Sequence, residues 1–547
     1  MALVDEPERL VVRTPVHRPH DARRRRVAVA GEEGEEGVQG LGVQRGVGAV
    51  AALRARGGGE DPGLLVVPHG LGGEAVRTGQ VDRSEPYPVL RVLSHRNLPL
   101  WNSADKSLHR EFNDTVEAMA PDTARIAHLT PASEAHAVET HPVEASAVME
   151  LLPARPRLLA VGEPTHGEDA LLDVRNGLFR QLVEQEGYRT IAIESDCLAG
   201  LRVDAYVTTG AGTLDEAMEH GFSHGFGASA ANRELVRWAR EYNTDRPAAD
   251  QLRFAGFDAP LEMTGAASPR QPLTALHTFL TSWPDANGLA DGLAGDLADG
   301  PTDGLLPCTA DTLDALLGPD DRWTEPAALM DPSRSCGRSP EAVQLAVIAH
   351  DLVSLLDERT PHLIAAAGRE AWDRARLHGR TTTGLLSYHS WLADTTPARM
   401  TRLISIRDRM MAENLLALTE RGPVLAFAHN AHLQRERSSM RMGGELLEWW
   451  GAGAIVSARL GPEYGFLATA LGTIRHQGVD APPPETVEGL LYALPEDRFL
   501  VDAPRLAAAL GDPLPAPRVS PWFGYFGLDP AHLKETDGLV FVKDVRG

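Results

Sequence analysis

The sequence has little cysteine, little lysine and few aromatic residues, and it lacks both a basic excess and a long apolar run. Three cysteines in 547 residues supply neither a disulfide framework nor the paired spacing of a structural metal site. The net charge of −23 argues against a nucleic-acid partner, because such binding depends on neutralising phosphates. The sequence has no stretch of about 18 apolar residues, and its N-terminus has no basic segment followed by an apolar run. It therefore predicts a cytoplasmic protein without a membrane span.

The first part of the chain lacks any periodic apolar pattern. Its first hundred residues contain fifteen glycines and a single aromatic residue, Tyr87, so residues 1–110 cannot bury enough surface to offset their chain entropy. This composition predicts a disordered extension. Only three of the 53 basic residues are lysine, which is typical of a high-GC bacterium. A second hypothesis is therefore that GC-rich DNA is translated upstream of a natural start near Met119.

From about residue 145 short apolar runs alternate with helical periodicity. Runs at 157–163 and 188–194 flank the segment from Asp169 to Gln185, whose apolar residues recur at helical spacing. This order predicts a βαβ unit with parallel strands. Similar runs at 252–258 and 423–429, and a fifth candidate at 454–458, extend the predicted sheet.

The segment between the third and fourth runs is predicted to be mostly helical. Its clearest helices are 341–358 and one that starts at Pro397, with Thr396 as N-cap. We therefore predict an α/β fold, a mainly parallel sheet flanked by helices with an inserted helical lobe. The expected divisions are a disordered extension, the first part of the core, the helical lobe and the second part of the core, at 1–110, 111–261, 262–421 and 422–547.

Each of the four runs ends in an ionisable residue or delivers one just beyond it: Glu163 and His166, Glu194, Asp258, and His429 and His432. In an open α/β sheet the carboxyl ends of parallel strands meet at one edge, where ligands bind. A single polar residue after a strand more often only begins a loop. The coincidence of four such ends favours a functional crevice.

Three further polar residues lie on the apolar faces of predicted helices. Arg175 falls within the apolar stripe of its helix and needs a partner there, for which Glu163 or Glu194 is the natural choice. A purely structural ion pair is an equally open interpretation. Arg407 and Asn414 share the apolar face of the helix that starts near residue 397, so we interpret them as site residues as well.

Residues 221–225 match the nucleophile pattern G-x-S-x-G. That chemistry requires a strand, a sharp turn and a helix around the serine, whereas residues 213–220 have a helical pattern. We therefore expect Ser223 and His224 to lie at the pocket rim, where they contact substrate, and not to supply a nucleophile.

The spacing of His429 and His432 leaves two interpretations open. With Glu163 and His166 they could hold a metal ion. The same imidazoles could instead act as a base and as an orienting hydrogen-bond partner.

Taken together, these segments resemble the erythromycin esterase family. They follow the family's order over about 145–475 and comprise residues 162–167, 175–176, 192–196, 221–225, 231–234, 256–258, 407–408 with Asn414, and 428–432. The resemblance implies an α/β sheet with a helical lobe that hydrolyses a macrolactone ester by attack of water, without a covalent intermediate.

The resemblance also implies roles for individual residues. It implies His166 as general base, with a polar cluster around it: Glu163, Arg175, Glu194, His429 and His432. We assign substrate contacts to a second set: Ser223, His224, Asp258, Arg407 and Asn414. We expect no metal and no cofactor, a small-molecule ester or lactone as substrate, and neither nucleic acid nor membrane as partner; the sequence leaves the oligomeric state open.

Three hypotheses about function remain at this point. The first is a hydrolase of a macrolide or another ester or lactone. The second is a natural-product biosynthetic enzyme that uses the same base for cyclisation, elimination or acyl transfer. The third is a metal- or haem-binding protein on a related scaffold, with the histidines as ligands.

A chain that begins at Met119 tests the predicted extension. We expect it to unfold at the same temperature as the full chain and to keep its activity, because a segment without apolar periodicity adds nothing to the core. Thermal unfolding monitored by circular dichroism gives the comparison. An insoluble product, or a loss of several degrees, would assign residues 89–100 to the fold and move the domain boundary.

Overall fold

The described part of the chain covers most of the predicted core and most of the helical segment. The computed structural model describes residues 139–546, apart from 263–264, 284–305, 443, 521 and 523. The predicted extension at 1–110 and the start near Met119 lie outside these residues.

The described strands form one large sheet and two small antiparallel pairs. Their bounds are β1 Leu158–Glu163, β2 Thr190–Asp196, β3 Arg253–Asp258, β4 Leu261–Glu262, β5 Gly265–Ala266, β6 Val424–His429, β7 Arg437–Met442, β8 Glu445–Trp450, β9 Tyr464–Ile474, β10 Arg498–Asp502 and β11 Gly538–Val545. The large sheet has the order β10-β11-β9-β1-β6-β2-β3, with β10 antiparallel to β11 and the other neighbours parallel. The predicted α/β fold with a mainly parallel sheet is confirmed.

Helices pack on both faces of this sheet. Their bounds within the described residues are α1 Ala145–Leu151, α2 Asp169–Gln185, α3 Gly200–Thr209, α4 Leu214–His220, α5 Ala230–Asn243, α6 Arg270–Ser282, α7 Ala310–Leu317, α8 Pro340–Glu358, α9 Thr360–Ala367, α10 Arg369–Leu392, α11 Arg399–Thr419, α12 Asn430–Leu433, α13 Ala452–Leu460, α14 Val487–Tyr492 and α15 Ala503–Leu510.

The central strands are mainly apolar up to their carboxyl ends because both of their faces are covered. Side chains alternate along a strand, so Leu159 and Val161 of β1 join the core on one face, and Leu158 and Ala160 join the core on the other. Helix α2 belongs to the first of these cores. A strand buried on both sides is a continuous apolar run, which is the pattern that identified β1, β2, β3 and β6.

The helices between β3 and β6 divide into two sets. Helices α6 to α10 share an apolar core of their own, which includes Leu276, Leu345 and Trp372. Helix α11 instead returns to the sheet, where Met411 and Leu415 join the core beneath β6. This supports a helical lobe, while its predicted limits at 262 and 421 stay a prediction.

Two local predictions were wrong. Residues 454–458 lie inside helix α13 and form no strand, because a short apolar run fits a buried helix as well as a strand. The strand neighbouring β1 on that side is β9. The second error concerns the cap of α11, which starts at Arg399 after Ala398; the hydroxyl of Thr396 donates a hydrogen bond to Asp394 instead of capping the helix.

The carboxyl edge of the sheet brings the predicted residues together. Strands β1, β6, β2 and β3 are consecutive neighbours, and Glu163 is the register partner of His429. Just beyond, Asn430 reaches across β1 to β9, where its amide bonds to both backbone groups of Thr469 at 2.8 and 3.2 Å. It can cross because Gly162 has no side chain: a Cβ there would overlap the Asn430 amide.

A pair of glycine substitutions tests this crossing. Gly162→Ala should cost about 1–3 kcal/mol of unfolding free energy, because the new methyl group displaces Asn430 in a packed site. Gly177→Ala is the matched control, since nothing lies near its Cβ position on the exposed side of α2; it should stabilise by about 0.5–1 kcal/mol. Urea denaturation measures both. Equal effects of the two substitutions would show that the crossing does not matter.

Candidate active site

His166 lies in the loop between β1 and α2 and is held by Glu163. Its Nδ1 is 2.7 Å from Glu163 Oε1, and its Nε2 is 3.8 Å from Glu194 Oε1. The loop turns back at Gly167, where φ is +83°, a conformation that glycine adopts without strain. The His166 side chain is 39% exposed, whereas the Glu163 side chain is 3% exposed. A buried carboxylate therefore orients an imidazole that faces solvent.

Glu194 occupies a bulge at the end of β2. Between the register pairs Ile193–Gly256 and Asp196–Asp258, two residues of β2 lie opposite one residue of β3. Bulges re-aim side chains and are common beside active sites. Here Glu194 Oε2 accepts from the backbone N–H of His429 at 2.8 Å.

Arg407 from α11 pairs with both buried carboxylates. It donates to Asp258 Oδ2 at 2.7 Å and to Glu194 Oε1 at 2.8 Å through Nη2, and its Nε contacts Asp258 as well. Burial raises the pKa of both carboxyls, but the cations around them outweigh it: the Arg407 charge lowers the pKa of Asp258, and His432, His166 and Arg407 lower that of Glu194. Both groups are therefore anions at neutral pH.

His432 lies between two carboxylates. Its Nδ1 is 2.8 Å from Asp408 Oδ1, and its Nε2 is 3.3 Å from Glu194 Oε1 and 3.5 Å from Arg407 Nη1. Burial lowers the pKa of His432, yet the Asp408 and Glu194 charges outweigh it and raise the pKa above the ordinary value.

His429 has a different role in the geometry. Its Nδ1 accepts from the backbone N–H of Ala431 at 3.1 Å and caps α12, and its Nε2 is 3.3 Å from Pro164 O. A carbonyl accepts, so Nε2 carries the proton and the imidazole is neutral. Burial, together with the charge of His166, lowers the pKa of His429 to about 3. Both of its ring nitrogens therefore hydrogen bond with backbone groups, those of Pro164 and Ala431.

Arg175 is fully buried, but its predicted carboxylate partner was wrong. It hydrogen bonds to Asn176 Oδ1 at 2.7 Å and to Asn232 Oδ1 at 2.8 Å. Amide oxygens supplied by α2 itself and by α5 are closer to the guanidinium than the strand ends are. Burial lowers the pKa of Arg175 to about 10, so it stays charged at neutral pH.

A narrow pocket lies between Arg175 and the strand ends. Glu163, Arg175, Glu194, Phe226 and Asn232 are among its lining residues, and its volume of about 10 Å³ holds about one water molecule. Glu163 Oε2 and Arg175 Nη1 are buried and have no hydrogen-bond partner among the residues that the structure describes. An unpaired acceptor and an unpaired donor therefore line the same pocket.

The loop 221–225 contacts the carboxyl ends of β2 and β3. The Ser223 hydroxyl accepts from Asp196 N at 2.9 Å and contacts Ser195 Oγ at 3.3 Å, so it binds the end of β2. The preceding residues form helix α4, as predicted. The strand, sharp turn and helix that a nucleophilic serine requires are therefore not formed around Ser223. His224 Nε2 is 3.1 Å from Asp258 Oδ2.

Asn414 lies away from the polar cluster. Its amide donates to Phe257 O at 3.1 Å and accepts from Arg380 at 3.2 Å. It braces the end of β3, and its predicted contact with substrate stays a prediction.

No group of three or more His, Cys, Asp or Glu side chains is arranged to hold a metal ion in the part of the chain that the structure describes. His429 illustrates the reason, since both of its nitrogens contact backbone groups.

The sequence of the chain matches a known family. The model of the family "Erythromycin esterase" covers residues 183–545, more than half of the chain. The chain belongs to the erythromycin esterase family. The matched range includes Glu194, Asp258, Arg407, His429 and His432, whereas Glu163, His166 and Arg175 precede it. Family membership implies a hydrolase that acts on an ester or lactone bond of a small molecule.

Two solved structures with TM-scores above 0.5 share the fold. A Bacillus cereus protein superposes with a TM-score of 0.53 at 16% identity, over 74% of this chain and 94% of its own. A succinoglycan biosynthesis protein gives a TM-score of 0.51 at 15% identity, over 81% of this chain and 98% of its own. A mutant of the erythromycin esterase EreC in its open conformation gives 0.48 at 16% identity, over 73% and 92%. A search of curated proteins finds no match.

The described helices of this family member include none that is both long and apolar enough to cross a bilayer.

Several residues of the site were missed at the level of sequence. Asp408 follows Arg407 directly but was not assigned a role, and Asn176 and Asn232 were not recognised as the partners of Arg175. Phe226, whose ring centroid is 5.4 Å from that of His166, was missed too. The signal for Asp408 was present: it falls on the inward face of α11, where a carboxylate needs a partner.

Removing Arg407 tests the electrostatics of the site. Arg407→Met leaves Asp258 and Glu194 buried without their cation, which should cost about 3–5 kcal/mol of unfolding free energy at neutral pH. Both carboxyls have a depressed pKa in the folded protein, so the stability they provide exists at neutral pH and is lost as the pH falls through the folded pKa. The difference in unfolding free energy between variant and parent should therefore become smaller in acid.

Arg409→Met is the matched control on the same helix. Its side chain is 40% exposed and pairs with Glu413, and loss of such a pair changes the unfolding free energy by about 0.5 kcal/mol or less. Urea denaturation at several pH values measures both variants. A gap for Arg407→Met that is independent of pH would contradict the ion-pair account.

Proposed function

We propose that this protein hydrolyses a carboxylic ester or macrolactone by direct attack of water, with His166 as the general base. The observation that carries the proposal is the pairing of a half-exposed imidazole with a buried carboxylate, 2.7 Å apart, at the carboxyl edge of the sheet. Membership of the erythromycin esterase family supports the bond type.

The environment of His166 suits a base. Glu163 fixes the proton on Nδ1 and leaves Nε2 to accept a proton from water. Burial lowers the pKa of His166, but the Glu194 and Glu163 charges outweigh it and raise the pKa above the ordinary value. The free base forms as the pH rises through this pKa, so the rate should increase with pH across that range.

The pocket behind His166 supports the binding of water or of a substrate oxygen. Glu163 Oε2 can accept a hydrogen bond and Arg175 Nη1 can donate one, and no group in the described part of the chain satisfies either. The charge of Arg175 in a buried pocket would stabilise the oxyanion that develops on the carbonyl oxygen. The imidazolium of His432 is the other group suited to that role.

The most direct experiment identifies the bond that is cleaved. Incubation of the full chain with a panel of macrolides, other lactones and simple esters, followed by mass spectrometry, should detect a product heavier by one water. A product of unchanged mass would favour the biosynthetic alternative of rearrangement or elimination. Activity that needs added metal would favour the metal-binding alternative.

His166→Asn tests the general base. The substitution should lower kcat by about 10²–10⁴-fold, because the water then lacks a proton acceptor while Glu163 keeps a hydrogen-bond partner. His220→Asn is the control, since this histidine is 53% exposed on α4, and parental turnover is expected. A folded His166→Asn protein with parental kcat would overturn the role, and an acyl group trapped on Ser223 would replace water attack by a covalent route.

A further inference from the structure

We propose that Asp408 is a positioning residue that holds His432 as an imidazolium, with Nε2–H directed toward the reaction site. The inference rests on the proposed function in that the carboxyl edge of the sheet is where the substrate reacts. It assigns a role to a residue that the sequence analysis left without one.

The contacts of Asp408 determine its charge. It is fully buried, and its Oδ1 accepts from the backbone N–H of Ala452 at 2.8 Å, while its Oδ2 accepts from Trp449 Nε1 at 2.9 Å. An amide N–H and an indole N–H can only donate. These two donors stabilise the carboxylate form of Asp408, so we place the proton between Asp408 and His432 Nδ1 on the histidine.

The second nitrogen of His432 has two possible partners. A carboxylate can only accept a hydrogen bond, so a protonated Nε2 donates to Glu194 Oε1. A guanidinium can only donate, so an unprotonated Nε2 accepts from Arg407 Nη1. The shorter distance, 3.3 Å against 3.5 Å, is that to Glu194. Protonation of His432 thus decides which way Nε2 acts.

The charged and titratable groups that face His432 lie on several elements. Asp408 and Arg407 lie on α11, Glu194 on β2 and His429 at the end of β6, and His166 approaches from the β1 loop. Arg407 and protonated His166 disfavour the imidazolium. Neutral His429 adds no charge. Asp408 and Glu194 are the two anions that outweigh these two cations. The imidazolium of His432 therefore depends on the charge of Asp408.

The β7–β8 hairpin contributes to this arrangement. Side chains alternate along a strand, and consecutive tryptophans of β8 show it: Trp450 is 56% exposed, whereas Trp449 is buried and reaches Asp408. Trp449 donates to Asp408 Oδ2 and Ala452 N donates to Oδ1, so together they fix the carboxylate. Trp449 of the hairpin thus orients Asp408.

The titration of His432 separates this role from a structural one. We expect nuclear magnetic resonance of the full chain with ¹⁵N-labelled histidine, assigned by comparison with His432→Asn, to show His432 titrating above the free amino acid. Asp408→Asn keeps the shape and removes the charge. It should move this titration to lower pH by about one unit or more, and the alkaline limb of the kcat profile should move with it.

Trp449→Phe is the matched control for structure. It removes a donor from the same carboxylate and loosens the same packing, but it leaves the charge in place, so the His432 titration should not move to lower pH. Glu413→Gln, which removes a half-buried charge paired with Arg409 on the same helix, should leave it unchanged. An unmoved titration in folded Asp408→Asn, or an equal downward shift in Trp449→Phe, would overturn the proposal.

Two further outcomes remain decisive. If Asp408→Asn does not fold, Asp408→Glu keeps the charge and displaces the carboxylate. It should then move the downfield Nδ1–H resonance of His432, and an unmoved resonance would contradict the positioning role. If no ester is hydrolysed, the proposed function fails, while the titration still decides whether Asp408 holds His432 as an imidazolium.

Discussion

The candidate site depends on the pairing of Arg407 with two buried carboxylates. Asp258 and Glu194 end neighbouring strands, and like charges brought together out of water raise each other's pKa unless a cation lies between them. A planar guanidinium can donate to both at once, and Arg407 does so at 2.7 and 2.8 Å. It reaches them from α11, so the chain must return from the helical segment to the sheet before β6 begins. The polar edge and the helical packing are therefore parts of one arrangement.

Three neighbouring histidines differ in their hydrogen-bond partners and in the direction of their pKa shifts. His429 hydrogen bonds with backbone groups through both nitrogens and is neutral. His432 lies between Asp408 and Glu194, and its pKa is raised. His166 pairs with Glu163 and is the most exposed of the three. Environments that separate the pKa values of adjacent groups are how a site holds an acid and a base at the same pH. The chemistry thus lies in the partners of the histidines and not in the imidazoles themselves.

Much of the fold was predictable because its signals are local. The runs that became β1, β2, β3 and β6 are continuous and apolar, and the bounds of α2 were predicted without error. Prediction failed where two structures fit one pattern: the run at 454–458 suits a strand, yet it packs as helix α13. It also failed at the cap of α11, where Thr396 bonds to Asp394 instead of the helix. In both cases contacts distant in sequence, or a competing side chain, decided the outcome.

The sequence by itself determined which residues stand at the strand ends, since an apolar run must stop where polar chemistry begins. Parallel strands then required Glu163, Glu194, Asp258 and His429 to share one edge. Only the tertiary structure decided which groups of the site pair with one another. Arg175 bonds to Asn176 and Asn232, and Asp408 bonds to His432, because a hydrogen bond forms only when donor and acceptor lie within a few tenths of an ångström of about 2.9 Å. Periodicity specifies the face of a helix or strand on which a residue lies, but it does not specify which residue it contacts on that face.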